Sequence, residues 1–257
     1  MPDDLAATYA ILCTAAFFAG AMNSIAGGGT LLTFPALTAV ISPALANATS
    51  TVALLPGSFA GAIGYRAELA PSKRFVLRML APSVLGGFLG AWLVGRDTST
   101  FATLVPWLIL TAAVLFVVQA PISRWMKAHR PDHEAGPGMQ IALIGFQFLI
   151  AVYGGYFGAG IGILMITALG FMGVGDIHRV NAVKTFLAAM INGASVIIFI
   201  KDDLVRWDYA AVMAGSAIVG GYMGARIARR LPASYVRYAV IAIGFGLSAF
   251  YFIRQYG

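Results

Sequence analysis

The chain has 257 residues, 60% of them hydrophobic and 11% charged, and a formal net charge of +7. Ordinary soluble domains are about 25% charged, and no soluble interior of this size could hide so many nearly uncharged runs of roughly 20 residues, each long enough to cross a hydrocarbon core about 30 Å thick. Composition therefore excludes a soluble enzyme or nucleic-acid binder and predicts an all-α integral membrane protein with several spans. The single cysteine, Cys13, excludes an intramolecular disulfide and any multi-cysteine metal site.

The start, Met1-Pro2-Asp3-Asp4, lacks the basic region of a signal peptide, so the first apolar segment, 6–26, is expected to be retained. It runs into Gly27-Gly28-Gly29 and then a second segment, 30–41. Twelve residues make roughly 18 Å of helix, too short to span, so this segment is re-entrant or a short crossing. Ser42-Pro43 reads as an N-cap followed by a proline at the first helical position of segment 43–65. Segments 74–95 and 101–119 complete the first half. Residues 120–138 form the extended polar stretch, a connector whose His129 and His133 read as solvated rather than metal-binding. The second half repeats the series at 139–157, 161–173, 177–200, 208–228 and 234–254, with Gly158-Ala159-Gly160-Ile161-Gly162 before its short segment and Asp176 as the cap of the next. Tyr65, Trp107, Trp125 and Trp207 fit an interfacial aromatic belt.

An offset of 134 residues superposes the halves without insertion. Gly20 falls on Gly154, Gly28 on Gly162, Asn47-Ala48 on Asn181-Ala182, Thr51 on Thr185, and the run 86–91 on 220–225. The predicted organisation is a transmembrane repeat at 1–119, a cytoplasmic connector at 120–138 and a second repeat at 139–257. If each half makes an odd number of crossings, twelve basic residues share one side, in the loops at 66–78, 120–138, near Arg179 and at 225–237. Arg96, Lys201, Arg206 and Arg254 lie on the other side, with most of the loop acids. A parallel arrangement gives only a 10-to-6 split of the same residues, so the positive-inside rule favours inverted repeats with both termini outside.

Short, glycine-interrupted segments at matching places in two halves point to a transporter's site. A helix starting after a glycine turn offers unpaired N–H groups and the positive end of its dipole, and glycine lets an anion approach that backbone. Polar groups in the interior are few: Asn23, Asn47, Thr49, Ser50 and Thr51 in one half, and Gln147, Asn181, Lys184, Thr185 and Asn192 in the other. Ser50 corresponds to Lys184, so one half supplies a charge where the other supplies a hydroxyl. The candidate substrate-binding residues are Gly27, Gly28, Gly29, Asn47, Ser50, Thr51, Gly160, Gly162, Asn181, Lys184 and Thr185. The bland alternatives are helix packing for the glycines, interhelical hydrogen bonds for Asn and Thr, and snorkelling for Lys184. Gly-Gly-x-x-Gly-Ala at 86–91 and 220–225 reads as a packing interface. No Asp or Glu lies well inside a span, which argues against a cation carrier or a carboxylate proton relay.

The glycine-rich turn, the short segment with Pro35, and Asn47-Ala48-Thr49-Ser50 resemble the sulfite exporter TauE/SafE family, as does Gly158–Gly162 followed by Arg179-Val180-Asn181-Ala182-Val183-Lys184-Thr185. The similarity covers essentially the whole chain; the interrupted run Gly-Ala-Gly-Ile-Gly departs from the common pattern. The resemblance implies a bacterial inner-membrane permease for sulfite or organosulfonates, exporting or importing. Its expected partners are a small anion and the lipid bilayer, with homo-oligomerisation open, no nucleic acid and no cofactor. The alternatives are an anion-selective channel or uniporter for another small oxyanion or carboxylate and, more remotely, a membrane hydrolase using Ser50.

Overall fold

The computed structural model describes residues 5–25, 28–128, 136–171, 177–227 and 233–256, and these form helices joined by short turns, with no strand among them. The first half contains α1 (Leu5–Ile25), α2 (Thr30–Thr38), α3 (Pro43–Gly64), α4 (Arg66–Leu69), a single 3₁₀ turn (Ala70–Ser72), α5 (Lys73–Arg96) and α6 (Thr98–Ala128). The second contains α7 (Pro137–Tyr156), α8 (Ile161–Phe171), α9 (Ile177–Lys201), α10 (Trp207–Ile227) and α11 (Ala233–Tyr256). Five stretches among the described residues are long and apolar enough to cross a membrane: Leu5–Asn23, Arg66–Arg96, Thr98–Val118, Gly138–Tyr156 and Arg179–Lys201. The protein is an all-α, multi-pass integral membrane protein. Lipid cannot satisfy backbone polar groups, so each spanning segment must satisfy its own as a helix.

The two short segments are short helices. Helix α2 has nine residues and α8 eleven, about 14 and 16 Å at 1.5 Å per residue. Helix α6 continues to Ala128, nine residues past the expected end of its segment, with Pro121 inside it; His129 and His133 lie outside the described residues, as does Asp176. Ser42 occupies the position before α3 in extended conformation, yet its side chain makes no capping bond. Its carbonyl instead accepts the N–H of Ala46, 2.9 Å away, and Pro43, with no N–H to satisfy, takes the first helical position.

A side-chain cap appears where none was expected. Asp97 precedes α6 and accepts from the Thr100 N–H at 2.9 Å, the Ser99 hydroxyl at 2.8 Å and the Thr100 hydroxyl at 2.6 Å. The Thr100 hydroxyl, then its N–H, then Ser99 hold this carboxyl at about 2 instead of 3.8. A depressed carboxylate stabilises the fold above its unfolded value and loses that contribution as pH falls through the folded one. Asp97→Ala is accordingly expected to melt below wild type at pH 7, with the gap closing between pH 4 and pH 2 in a thermal melt monitored in detergent.

Packing pairs the halves by exchange. Helix α1 lies along α10 and α7 along α5; α3 meets α10 as α9 meets α5; α3 and α9 meet each other. Glycines set these contacts, because without a hydrophobic drive in lipid, helices associate by close van der Waals approach. A Cβ at Gly20 would overlap the carbonyl of Ala217 on α10, and one at Gly220 the carbonyl of Phe17 on α1. In the partner pair, a Cβ at Gly86 would lie 2.6 Å from that of Ala151, and one at Gly90 would overlap the Val152 carbonyl. Ala151 is the residue 134 beyond Phe17, so the same contact is built twice.

Candidate anion-binding site

The two glycine turns are brought together, the second lying against the start of α2. A Cβ at Gly158 would sit 4.0 Å from the Thr30 hydroxyl at the start of α2. Gly28, Gly158 and Gly160 have φ of 92°, 79° and 80°, the left-handed region in which a side chain is strained. Phe157 tightens the same junction, its ring meeting Phe34 of α2 edge-on with centroids 5.3 Å apart. In the second turn Ala159 is buried and its carbonyl accepts the Tyr153 hydroxyl at 2.8 Å. The alanine interrupting the glycine run therefore faces protein.

Helix α8 begins at Ile161, and Lys184 lies over its first turn. A Cβ at Gly162 would be 3.4 Å from Lys184 Cδ and 4.0 Å from Nζ. Lys184 is the eighth residue of α9, about 10 Å along it, and only 8% exposed. No hydrogen bond or ion pair to it is formed among the described residues. The N–H groups of Ile161 and Gly162 likewise meet no acceptor there; the Ile163 N–H bonds back to Gly160 at 3.0 Å. A full positive charge and the positive end of a helix thus converge, with no counter-charge to either among the described residues. Burial makes that arrangement costly until a negative group arrives.

The first half is chemically different at the matching place. The Gly29 N–H is taken by Asn23 Oδ1 at 2.7 Å, which leaves Thr30 to offer a hydroxyl and an N–H that meets no acceptor among the described residues. Ser50 bonds the Thr33 hydroxyl at 2.5 Å, and Asn47 Nδ2 donates to the Tyr156 carbonyl at 3.0 Å, tying α3 to the approach of the second turn. Asn47 Oδ1 is buried and has no hydrogen-bond partner among the described residues.

Of the candidates, Gly28, Gly29, Asn47, Ser50, Gly160, Gly162 and Lys184 gather around these turns. The Thr51 hydroxyl is used within its own helix, donating to the Asn47 carbonyl at 2.8 Å. The Thr185 methyl faces α3, 3.4 Å from where a Cβ of Gly61 would be, so it sits in the α3–α9 contact. Asn181 is half-buried and makes no hydrogen bond among the described residues. Gly27 lies outside the described residues.

A profile of the sulfite exporter TauE/SafE family matches residues 12–251. The chain belongs to this family. Among its curated relatives, a "Probable membrane transporter protein" of Haemophilus influenzae is 26% identical over 93% of this chain and 92% of its own length. The Escherichia coli K12 "Probable membrane transporter protein YfcA" is 29% identical, over 87% and 80%. "Probable membrane transporter protein ORF9" of a Sinorhizobium species is 28% identical, over 93% and 90%. Family membership and the spans together make the chain a multi-pass membrane transporter.

Within this TauE/SafE protein, three polar roles escaped the reading of the sequence. Asn23 caps the first glycine turn, Thr33 pairs with Ser50, and Thr49 accepts the Arg206 N–H at 3.0 Å, joining α3 to the start of α10. Asn23 and Thr49 stood in the polar inventory; Thr33 did not. Nothing local, however, shows which side chain reaches which partner.

Proposed function

We propose that this chain is an inner-membrane permease for small sulfur-containing anions such as sulfite or organosulfonates, working by alternating access between two inverted repeats. One observation carries the anion reading: Lys184, buried and without a partner among the described residues, is laid over the first turn of α8, whose Ile161 and Gly162 N–H groups meet no acceptor among them either. The family's name supports sulfur chemistry. The exchange of contacts between halves supports a two-fold relation, and the bias of Lys and Arg toward one set of loops supports inversion, with both termini outside and 120–138 as a cytoplasmic connector between repeats 1–119 and 139–257.

The test is uptake by sealed proteoliposomes containing the purified protein, with sulfite, thiosulfate, sulfoacetate and taurine set against sulfate and carboxylate analogues. Saturable uptake of a sulfur anion is the expected result. Uptake of the carboxylates alone would overturn the substrate class. Accumulation against a gradient, driven by an imposed proton gradient, distinguishes a carrier from an anion channel or uniporter.

A further inference from the structure

The halves agree in sequence at two positions that the fold treats oppositely. Phe116 of α6 lies 134 residues before Phe250 of α11, and Gly28 lies 134 before Gly162. Phe116 is 0% exposed, with its ring against the bare face of Gly28, where any Cβ would overlap it. Phe250 is 55% exposed, its ring contact being with its neighbour Tyr251. The difference extends along both helices. Ile109 and Ala112 of α6 are fully buried, and Ala112 and Leu115 back onto Gly160; their counterparts Ile243 and Gly246 on α11 are exposed. One fifth helix is thus inserted over the glycine turns, while the other lies outside against it.

The face of Gly162 is not vacant. It carries the stem of Lys184, with Cδ 3.4 Å and Cε 3.9 Å from where a Cβ would be. In the first half the residue matching Lys184 is Ser50, too short to cover Gly28 and already bonded to Thr33. The glycine face is therefore free for Phe116 where the polar residue is short, and closed to Phe250 where it is long.

We propose that Phe116 and Phe250 are alternating plugs: here Phe116 is seated on Gly28, and in the opposite-facing conformation Phe250 seats on Gly162 as Phe116 leaves. This rests on the alternating-access reading above. Two related repeats in unlike arrangements form two states of the transporter when they exchange them. Seating Phe250 requires Lys184 to lift from Gly162, so an anion holding the ammonium at the α8 turn also holds that plug out. Insertion of α11 further breaks the contact between the Tyr251 and Thr38 hydroxyls, which now ties α11 to α2.

The experiment uses the full-length protein in lipid nanodiscs and proteoliposomes, with Cys13 replaced by Ala. A trifluoromethyl-phenylalanine at position 250 is expected to show a second, protein-enclosed fluorine resonance shielded from a lipid-borne spin label. Its share should grow in Lys184→Ala, where the stem no longer covers Gly162. Bridging Thr38→Cys to Tyr251→Cys with a short bis-methanethiosulfonate is expected to cut uptake about tenfold, restored by reductant, with anion binding retained. Phe250→Ala should lower turnover about tenfold at nearly constant Kd, with Phe250→Leu intermediate. A single lipid-facing environment at 250 in both proteins overturns the proposal, as does undiminished uptake by the bridged protein. If wild type moves none of the sulfur anions while the second resonance is present, the substrate reading fails and the plugs stand.

Discussion

Replacing Lys184 by Met is expected to raise the melting temperature of the ligand-free protein and sharply reduce its stabilisation by substrate. The two effects have opposite signs because they come from one cause. Lys184 is 8% exposed, with no acid beside it among the described residues, and it shares its place with the unpaired N–H groups of Ile161 and Gly162. Met keeps the apolar stem over Gly162 and removes the uncompensated charge, so the empty site relaxes. A hydrogen bond to a charged group contributes about 1.5–3 kcal/mol, and at about 1.4 kcal/mol per tenfold the loss in affinity is roughly 10- to 150-fold. Thermal shifts with and without sulfite, alongside uptake, measure both. If Lys184 only snorkels or packs, Met leaves the ligand-induced shift intact, and the assignment of the site is wrong.

The second large effect is on assembly of the two halves. Gly90→Ala and Gly220→Ala place a methyl group into the carbonyls of Val152 and Phe17 respectively. The obstacle is helix backbone, which cannot rotate aside as a side chain does, so α5 must separate from α7, or α10 from α1. Overpacking costs about 1–3 kcal/mol where side chains can shift, and these substitutions are expected at about 3 kcal/mol or beyond it. Gly215→Ala is the control. It lies on the same helix as Gly220 with nothing within 4 Å of its Cβ position, and alanine is the better helix former by about 1 kcal/mol. A sharp loss of monodisperse protein and of melting temperature for the first two, with neither for the third, is the expected result of size-exclusion and thermal-melt measurements. Equal behaviour of all three would mean that the close approach does not hold the halves together.

The sequence alone was enough to identify the chain as a duplicated, all-helical membrane protein. Charge was scarce, apolar runs were long enough, and the 134-residue register carried glycines onto glycines. It also located the two glycine turns and singled out Lys184, because a charge or a broken helix inside an apolar run stands out without knowledge of the fold. The small-residue runs at 86–91 and 220–225 were legible as interfaces for the same reason. Individual hydroxyl and amide roles were not. Thr51 and Thr185 looked like paired donors, yet one bonds its own helix and the other packs its methyl on α3. A threonine in a membrane helix can satisfy itself four residues back, and sequence spacing does not tell that from a bond across helices.

What only the tertiary structure decided is which faces meet. Helices that are apolar all round carry no stripe that shows the side turned to protein, so their rotation and depth depend on contacts made by residues far apart in the chain. Those contacts put Lys184 over Gly162, Thr33 against Ser50 and Asn23 on Gly29. They also buried Phe116 while leaving Phe250 exposed, although the two positions read alike. Duplication is a property of sequence; the asymmetry between the copies shows only in the packing, where the long stem of Lys184 covers Gly162 and the short Ser50 leaves Gly28 to Phe116.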